Sequence, residues 1–189
     1  EDLEKFFFAA FFIGVFISIP IWIRLINIIG KKSAYLFTMI IYSMLLWAIL
    51  LLQPSNYLLF GAAMVVAGAF NIGLWLIPGS ILPDIIEWDQ LAVGERREGA
   101  FYGIWTLIRK GATGGAFITV GFVLDRVGYA ANVEQTPLSL FGIKMLFGPI
   151  PALFLIIGIL FFLKFPITRQ VHRELVRQIS ERQGHEKEE

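Results

Sequence analysis

Arg109 and Lys110 stand side by side in a run, Ala100 to Leu124, that is otherwise apolar, aromatic, small or hydroxylated and long enough to cross a bilayer. A charge at mid-membrane costs from ~3 to more than ~10 kcal/mol, so such residues face a bundle interior or a water-filled cavity. Tyr102, Thr106, Lys110 and Thr113 fall at i, i+4, i+8 and i+11, which makes one polar stripe on a helix. A stripe of three hydroxyls and an ammonium suits a polar, hydroxylated ligand or a protonic network. Arg109 lies about 100° around from Lys110, so the two cations have different partners. For Arg109 the readings are a structural ion pair or snorkelling toward the membrane face. Gly103, Gly111, Gly114 and Gly115 on the same segment allow close approach of other helices.

Asn71 and Trp75, at i and i+4 on an earlier apolar run, face one way and offer a surface to that stripe. An indole in a helix bundle stacks on the apolar face of a sugar ring or simply fills space. Trp22, Trp47 and Trp88, nearer the ends of their runs, read as interfacial anchors. The stretch 84-DIIEWDQLAVGERREGAFYG-103 gathers charge of both signs. Asp84, Glu87 and Trp88 at i, i+3 and i+4 share a face. Followed closely by Arg96, Arg97 and Glu98, these carboxylates read either as a solvated turn or as ion pairs that close a gate. Acid–base hydrolysis is rejected, because no nucleophile, metal cluster or second catalytic group accompanies them. No phosphate loop, HExxH or nucleophile elbow occurs.

The elements that position these residues follow from composition. The chain is 57% hydrophobic, with a mean hydropathy of +0.70, against about 45–50% apolar for soluble domains. A net charge of +1 does not point to nucleic acid, and with no cysteine there is no thiolate metal site. Five apolar segments, about 6–29, 34–52, 57–82, 100–124 and 140–165, approach or exceed the ~20 residues a spanning helix needs. Backbone groups in lipid must be satisfied internally, so the spans are helices and the fold class is an all-α membrane protein. Pro20, Pro78, Pro83, Pro149 and Pro151 bend these helices for packing or serve as hinges. Residues 166–189 read as a charged tail. If the spans alternate, Arg24, Lys31, Lys32, Arg96, Arg97 and the basic residues after Phe165 share one side, which is therefore cytoplasmic. The first residue then lies outside and the tail inside. Glu1 is not Met, and an odd number of spans beginning outside gives the expectation of further sequence upstream.

Residues 83-PDIIEWDQLAVGERREGAFYG-103 and 127-VGYAANVEQTPLSLFGI-143 carry a resemblance to a known family. The chain resembles, over nearly its whole length, the C-terminal half of the glycoside–pentoside–hexuronide:cation symporters, a branch of the major facilitator superfamily that includes the melibiose carrier. Trp75, nine residues before Asp84, and Lys110, twenty-six after it, match a tryptophan and a helix-eleven lysine of that carrier; Thr106 matches a threonine four before the lysine. The turn 24-RLINIIGKK-32 sits where the superfamily has its helix eight–nine motif, with Asn27 and Ile28 in place of the usual aspartate and arginine.

The resemblance implies helices eight to twelve of a twelve-helix bundle, part of a secondary transporter that moves a sugar or glycoside with Na⁺ or H⁺ by alternating access. It implies substrate contacts from Trp75, Thr106, Lys110, Asn71 and Tyr102, coupling through Lys110, and a cytoplasmic gate of Asp84, Glu87, Arg96 and Glu98. No cofactor is implied beyond the coupling ion, whose site belongs mainly to the N-terminal half. The partners are then the bilayer, the substrate and that half, in a bacterial-type cytoplasmic membrane. A helical membrane scaffold, in which the intramembrane charges only join subunits, is the alternative reading; an intramembrane enzyme is the third.

Overall fold

The computed structural model describes residues 2–51 and 57–165, and among these the regular structure is helical. In chain order the helices are α1 (Asp2–Ile29), α2 (Lys31–Ala48), α3 (Tyr57–Val93), α4 (Glu98–Arg126), α5 (Pro137–Phe147) and α6 (Pro149–Leu163), with a 3-10 turn at Ile49–Leu51. α1, α3, α4 and the α5–α6 pair are long and apolar enough to cross a membrane. α2, with 18 residues and two lysines at its start, is about 27 Å long. The tail expected at 166–189 lies outside the described residues.

Two boundaries differ from the apolar runs. The third helix does not stop at Leu82 but continues through Pro78 and Pro83 to Val93. Pro78 and Pro83 remove the helical donors of the Leu74 and Gly79 carbonyls, and beside them the Lys31 ammonium reaches the Ser80 carbonyl at 2.8 Å. Beyond Pro83 the charged residues alternate with Ile85, Ile86 and Leu91, and Asp84 and Ile86 are buried, so packing carries the helix onward. The connection to α4 is thereby cut to Gly94–Arg97, with Gly94 at φ +87, a conformation open to glycine. The second difference is the last apolar run, which is two helices. Gly148 (φ −123, ψ −94) breaks it, and Pro149 starts α6 at a position where a missing N–H costs nothing.

α1 and α3 pack most closely. Ala10, Gly14, Ser18 and Trp22, four residues apart, form the buried stripe of α1. A Cβ added at Gly14 would lie 1.9 Å from the Val65 carbonyl oxygen, and one at Gly68 2.0 Å from that of Phe11. The two backbones touch through reciprocal glycines, the small-residue packing that lets dispersion hold helices together in lipid. Trp22 is not an interfacial anchor: it is 3% exposed, and its indole N–H donates to the Ala69 carbonyl at 2.6 Å. With Ala34, Ile77 and Ile81 it forms the core where α1, α2 and α3 meet. α2 in turn packs on α6, with Tyr35 edge-on to Phe162 at 4.9 Å. Lys32 donates to the Leu163 and Phe165 carbonyls, satisfying acceptors at the end of α6 that the helix cannot.

α4 stands apart, and none of its residues is buried. At its N-terminal end Arg97 pairs with Asp89 of α3. At its C-terminal end the Ser139 hydroxyl donates to the Val127 carbonyl at 2.8 Å, and the Val127 side chain lies against Gly142 of α5. Thr136 caps α5 by accepting from the Ser139 N–H at 3.1 Å.

Candidate functional site

Among the sequence-selected residues, Trp75 of α3 and Arg109 of α4 meet. The Arg109 guanidinium carbon lies over the Trp75 ring, 4.7 Å from its centroid. Trp75 is 59% exposed within this chain. Tyr102, Thr106 and Lys110 are exposed along α4. The fourth member of the stripe, Thr113, donates its hydroxyl to the Arg109 carbonyl at 2.9 Å and keeps its acceptor capacity. No Asp or Glu occurs between Lys5 and Pro83 or between Gly99 and Leu124. Among the described residues the ion pairs do not include Arg109 or Lys110. Along α4, Arg109, Lys110 and the hydroxyls of Tyr102, Thr106 and Thr113 therefore have no carboxylate of the 99–124 segment beside them.

Asn71 lies one turn before Trp75 on α3. Its amide donates to the Tyr42 hydroxyl of α2 at 3.2 Å. Asn71 thus supports the α2–α3 contact, and Trp75, about 40° around the same helix, meets Arg109 of α4. The glycines of α4 have no close neighbour either. A Cβ at Gly103, Gly111, Gly114 or Gly115 would meet nothing within 4 Å among the described residues.

The charged cluster divides in three. Asp84, 5% exposed, accepts from the Lys31 ammonium through both oxygens, at 2.7 and 2.8 Å. Arg96 pairs with Glu98 at 3.2 Å, well exposed. Arg97 forms a two-pronged pair with Asp89, donating Nε at 3.0 Å and Nη2 at 2.5 Å. The Asp89 hydrogen bond, then its charge, raises the Arg97 pKa above the ordinary guanidinium value. Glu87 is half-buried and joins none of these pairs. Apolar periodicity gave no sign of the Lys31–Asp84 pair. The available signal was the basic turn 24-RLINIIGKK-32: it lacks the usual aspartate and arginine, yet sends Lys31 across to α3.

Two other features set bounds on the chemistry. An apolar groove of about 340 Å³ between α1 and α3, lined by Phe6, Ala10, Ile13, Gly61 and Val65, has almost no polar surface with which to orient a sugar. Among the described residues no three His, Cys, Asp or Glu side chains gather as a metal site.

Comparison with known proteins shows the family. Residues 1–169 match the model of the MFS/sugar transport protein family. An uncharacterized symporter of Synechocystis is 30% identical over 169 residues, covering 86% of this chain and 31% of the relative. The glucuronide carrier protein homolog of Escherichia coli is 26% identical, covering 90% of this chain and 37% of the relative. The sodium-dependent lysophosphatidylcholine symporter 1-B of Danio rerio is 28% identical, covering 86% of this chain and 32% of the relative. The chain thus spans about a third of the length of these relatives. An integral membrane chain with intramembrane cations on an unburied helix, matched over 169 residues by one transporter family, belongs to the MFS/sugar transport family of symporters, which is not a family of enzymes.

Proposed function

We propose that the chain forms helices eight to twelve, in the C-terminal half, of a cation-coupled carrier, and that α3 and α4 line its central cavity. The observation that carries this reading is the face of α4: Tyr102, Thr106 and Lys110 exposed on a helix without a buried residue, opposite an exposed Trp75. Charges in a span are tolerated only toward a polar interior. The rest of the carrier supplies that interior and the carboxylates that Lys110 complements. Trp75 offers a plane to a sugar or glycoside ring, and the hydroxyls of Tyr102 and Thr106 bond its polar rim. Asn71 supports the site through Tyr42. The coupling ion, Na⁺ or H⁺, binds mainly on the other half, where the Lys110 charge competes with it and links the two binding events.

The two halves rock about the cavity. The Lys31–Asp84 pair fixes α2 to α3 on the proposed cytoplasmic side, and Glu87, Arg96 and Glu98 lie close by for contact with the other half. The positive-inside rule supports a first residue outside and basic turns and tail inside, in a bacterial-type cytoplasmic membrane.

The test is uptake by the complete carrier with Lys110→Ala, measured beside surface expression. Concentrative uptake is expected to vanish with insertion intact, since removal of an intramembrane charge eases insertion. Lys110→Arg does not restore uptake, because a fork-shaped guanidinium does not replace a compact ammonium. Accumulation by Lys110→Ala equal to the parent contradicts the coupling role.

A further inference from the structure

Arg109 of α4 and Trp75 of α3 meet because the register of the two helices brings them to one height. The two-pronged Arg97–Asp89 pair pins the helices together beside their short connection. Trp75 precedes Asp89 by 14 residues, and Arg109 follows Arg97 by 12. Those separations are about 21 Å along α3 and about 18 Å along α4. Counted from the pinned end, the two side chains therefore lie level. The other end of α4 is held as well, by the Ser139 hydroxyl on the Val127 carbonyl. A helix fastened at both ends delivers Arg109 to the indole at a fixed height.

The contact has a definite geometry. The guanidinium carbon stands over the Trp75 ring, 4.7 Å from its centroid. A flat guanidinium in that position covers one face of the indole and keeps other groups off it. A ring has two faces, so a ligand is left the opposite face and the edge. Within a span the contact is favourable for the arginine too, because an indole is the strongest aromatic partner of a cation. A tryptophan side chain on a helix has a small set of rotamers, and a neighbour lying on the ring selects among them.

We infer that Arg109 is a positioning residue for ligand binding: it holds the Trp75 indole in one orientation and so presents the uncovered face to the ring of the ligand. The inference rests on the function proposed above, in which Trp75 stacks on a sugar or glycoside. Arg109 touches the indole and not the ligand. It raises affinity by removing rotational freedom that Trp75 would otherwise lose on binding.

A double-mutant cycle of binding to the purified complete carrier tests this. The probes are phenyl glucoside, phenyl galactoside and phenyl xyloside, all neutral, so that no ligand charge pairs with Arg109 directly. The proteins are the parent, Arg109→Met, Arg109→Lys, Trp75→Ala and the Arg109→Met, Trp75→Ala double variant, each with its unfolding temperature. Arg109→Met is expected to weaken binding by about twofold to thirtyfold, the range of a cation–π contact from exposed to desolvated sites. Arg109→Lys, which keeps a cation for the ring without the flat face, falls between. In the Trp75→Ala background Arg109→Met weakens binding no further, because Arg109 acts through the indole. Weakened binding by Trp75→Ala beside parent-like binding by Arg109→Met overturns the inference and leaves the reading of Trp75 standing. An equal loss from Arg109→Met with and without Trp75 overturns it in the same way. So does a lower unfolding temperature for Arg109→Met at unchanged affinity, the result of a mere tie between helices. Parent-like binding by Trp75→Ala, or binding of none of the three probes by the parent, contradicts the reading of Trp75 itself and the inference with it.

Discussion

At the scale of single residues, the two tryptophans Trp22 and Trp75 have exchanged the roles that position in the sequence implies. Trp22 lies near a helix end yet is buried, with its N–H on the Ala69 carbonyl. Trp75 lies mid-helix yet is 59% exposed. Truncation should therefore act differently at each. Trp22→Ala is expected to lower stability by ~3–5 kcal/mol, as for a buried aromatic. Trp75→Ala should lower it far less and weaken substrate binding instead. Thermal unfolding and binding of the same two variants check this, and a Trp75→Ala variant with normal affinity and reduced stability contradicts the ligand role. Helical spacing alone found the stripe of Tyr102, Thr106, Lys110 and Thr113, because periodicity fixes which residues share a face. It did not show the hydrogen-bond partner of Asn71, because which neighbour a side chain reaches is a tertiary fact: Asn71 donates to Tyr42 of α2.

At the scale of elements, hydropathy located the helices and misplaced two of their limits. α3 runs past Leu82 because burial of Asp84 and Ile86 stabilises helix in a stretch that an apolar scale scores as a loop. The α5–α6 break was half legible, since Pro149 and Pro151 were visible but the turn is made by Gly148. The α1–α3 contact was missed, although 10-AFFIGVFISIPIW-22 spaces Ala, Gly, Ser and Trp by four. That spacing is itself the sign of a tight crossing. Gly68→Val would place a Cβ 2.0 Å from the Phe11 carbonyl oxygen, which only separation of the helices relieves. Its expected cost is ~1–3 kcal/mol or more, read as a fall in unfolding temperature of the complete carrier. Gly79→Ala, where an added Cβ meets nothing within 4 Å, should shift it little. An unaltered unfolding temperature for Gly68→Val would mean that the α1–α3 crossing is looser than described.

At the scale of the whole molecule, the ion pairs differ in weight. The Arg96–Glu98 pair is exposed on both sides, and such pairs are worth ~0–1 kcal/mol. Lys31–Asp84 is largely buried, where loss of one partner costs ~3–5 kcal/mol. Lys31→Gln should therefore destabilise the α2–α3 junction more than Arg96→Gln. Arg96→Gln should act mainly on the inward/outward ratio, as accessibility labelling reports. A larger stability loss from Arg96→Gln than from Lys31→Gln would reverse this ranking. Above these pairs stands the claim that α4 presents its polar stripe to a water-filled cavity. Its most direct test is a single cysteine in a complete carrier free of all others, placed at Thr106 or, about 160° away on the same helix, at Ile104. A membrane-impermeant maleimide is expected to label the Thr106 position and to be blocked there by substrate, while the Ile104 position stays unlabelled. Labelling at Ile104 with none at Thr106, or labelling at Thr106 that substrate does not reduce, would contradict the account.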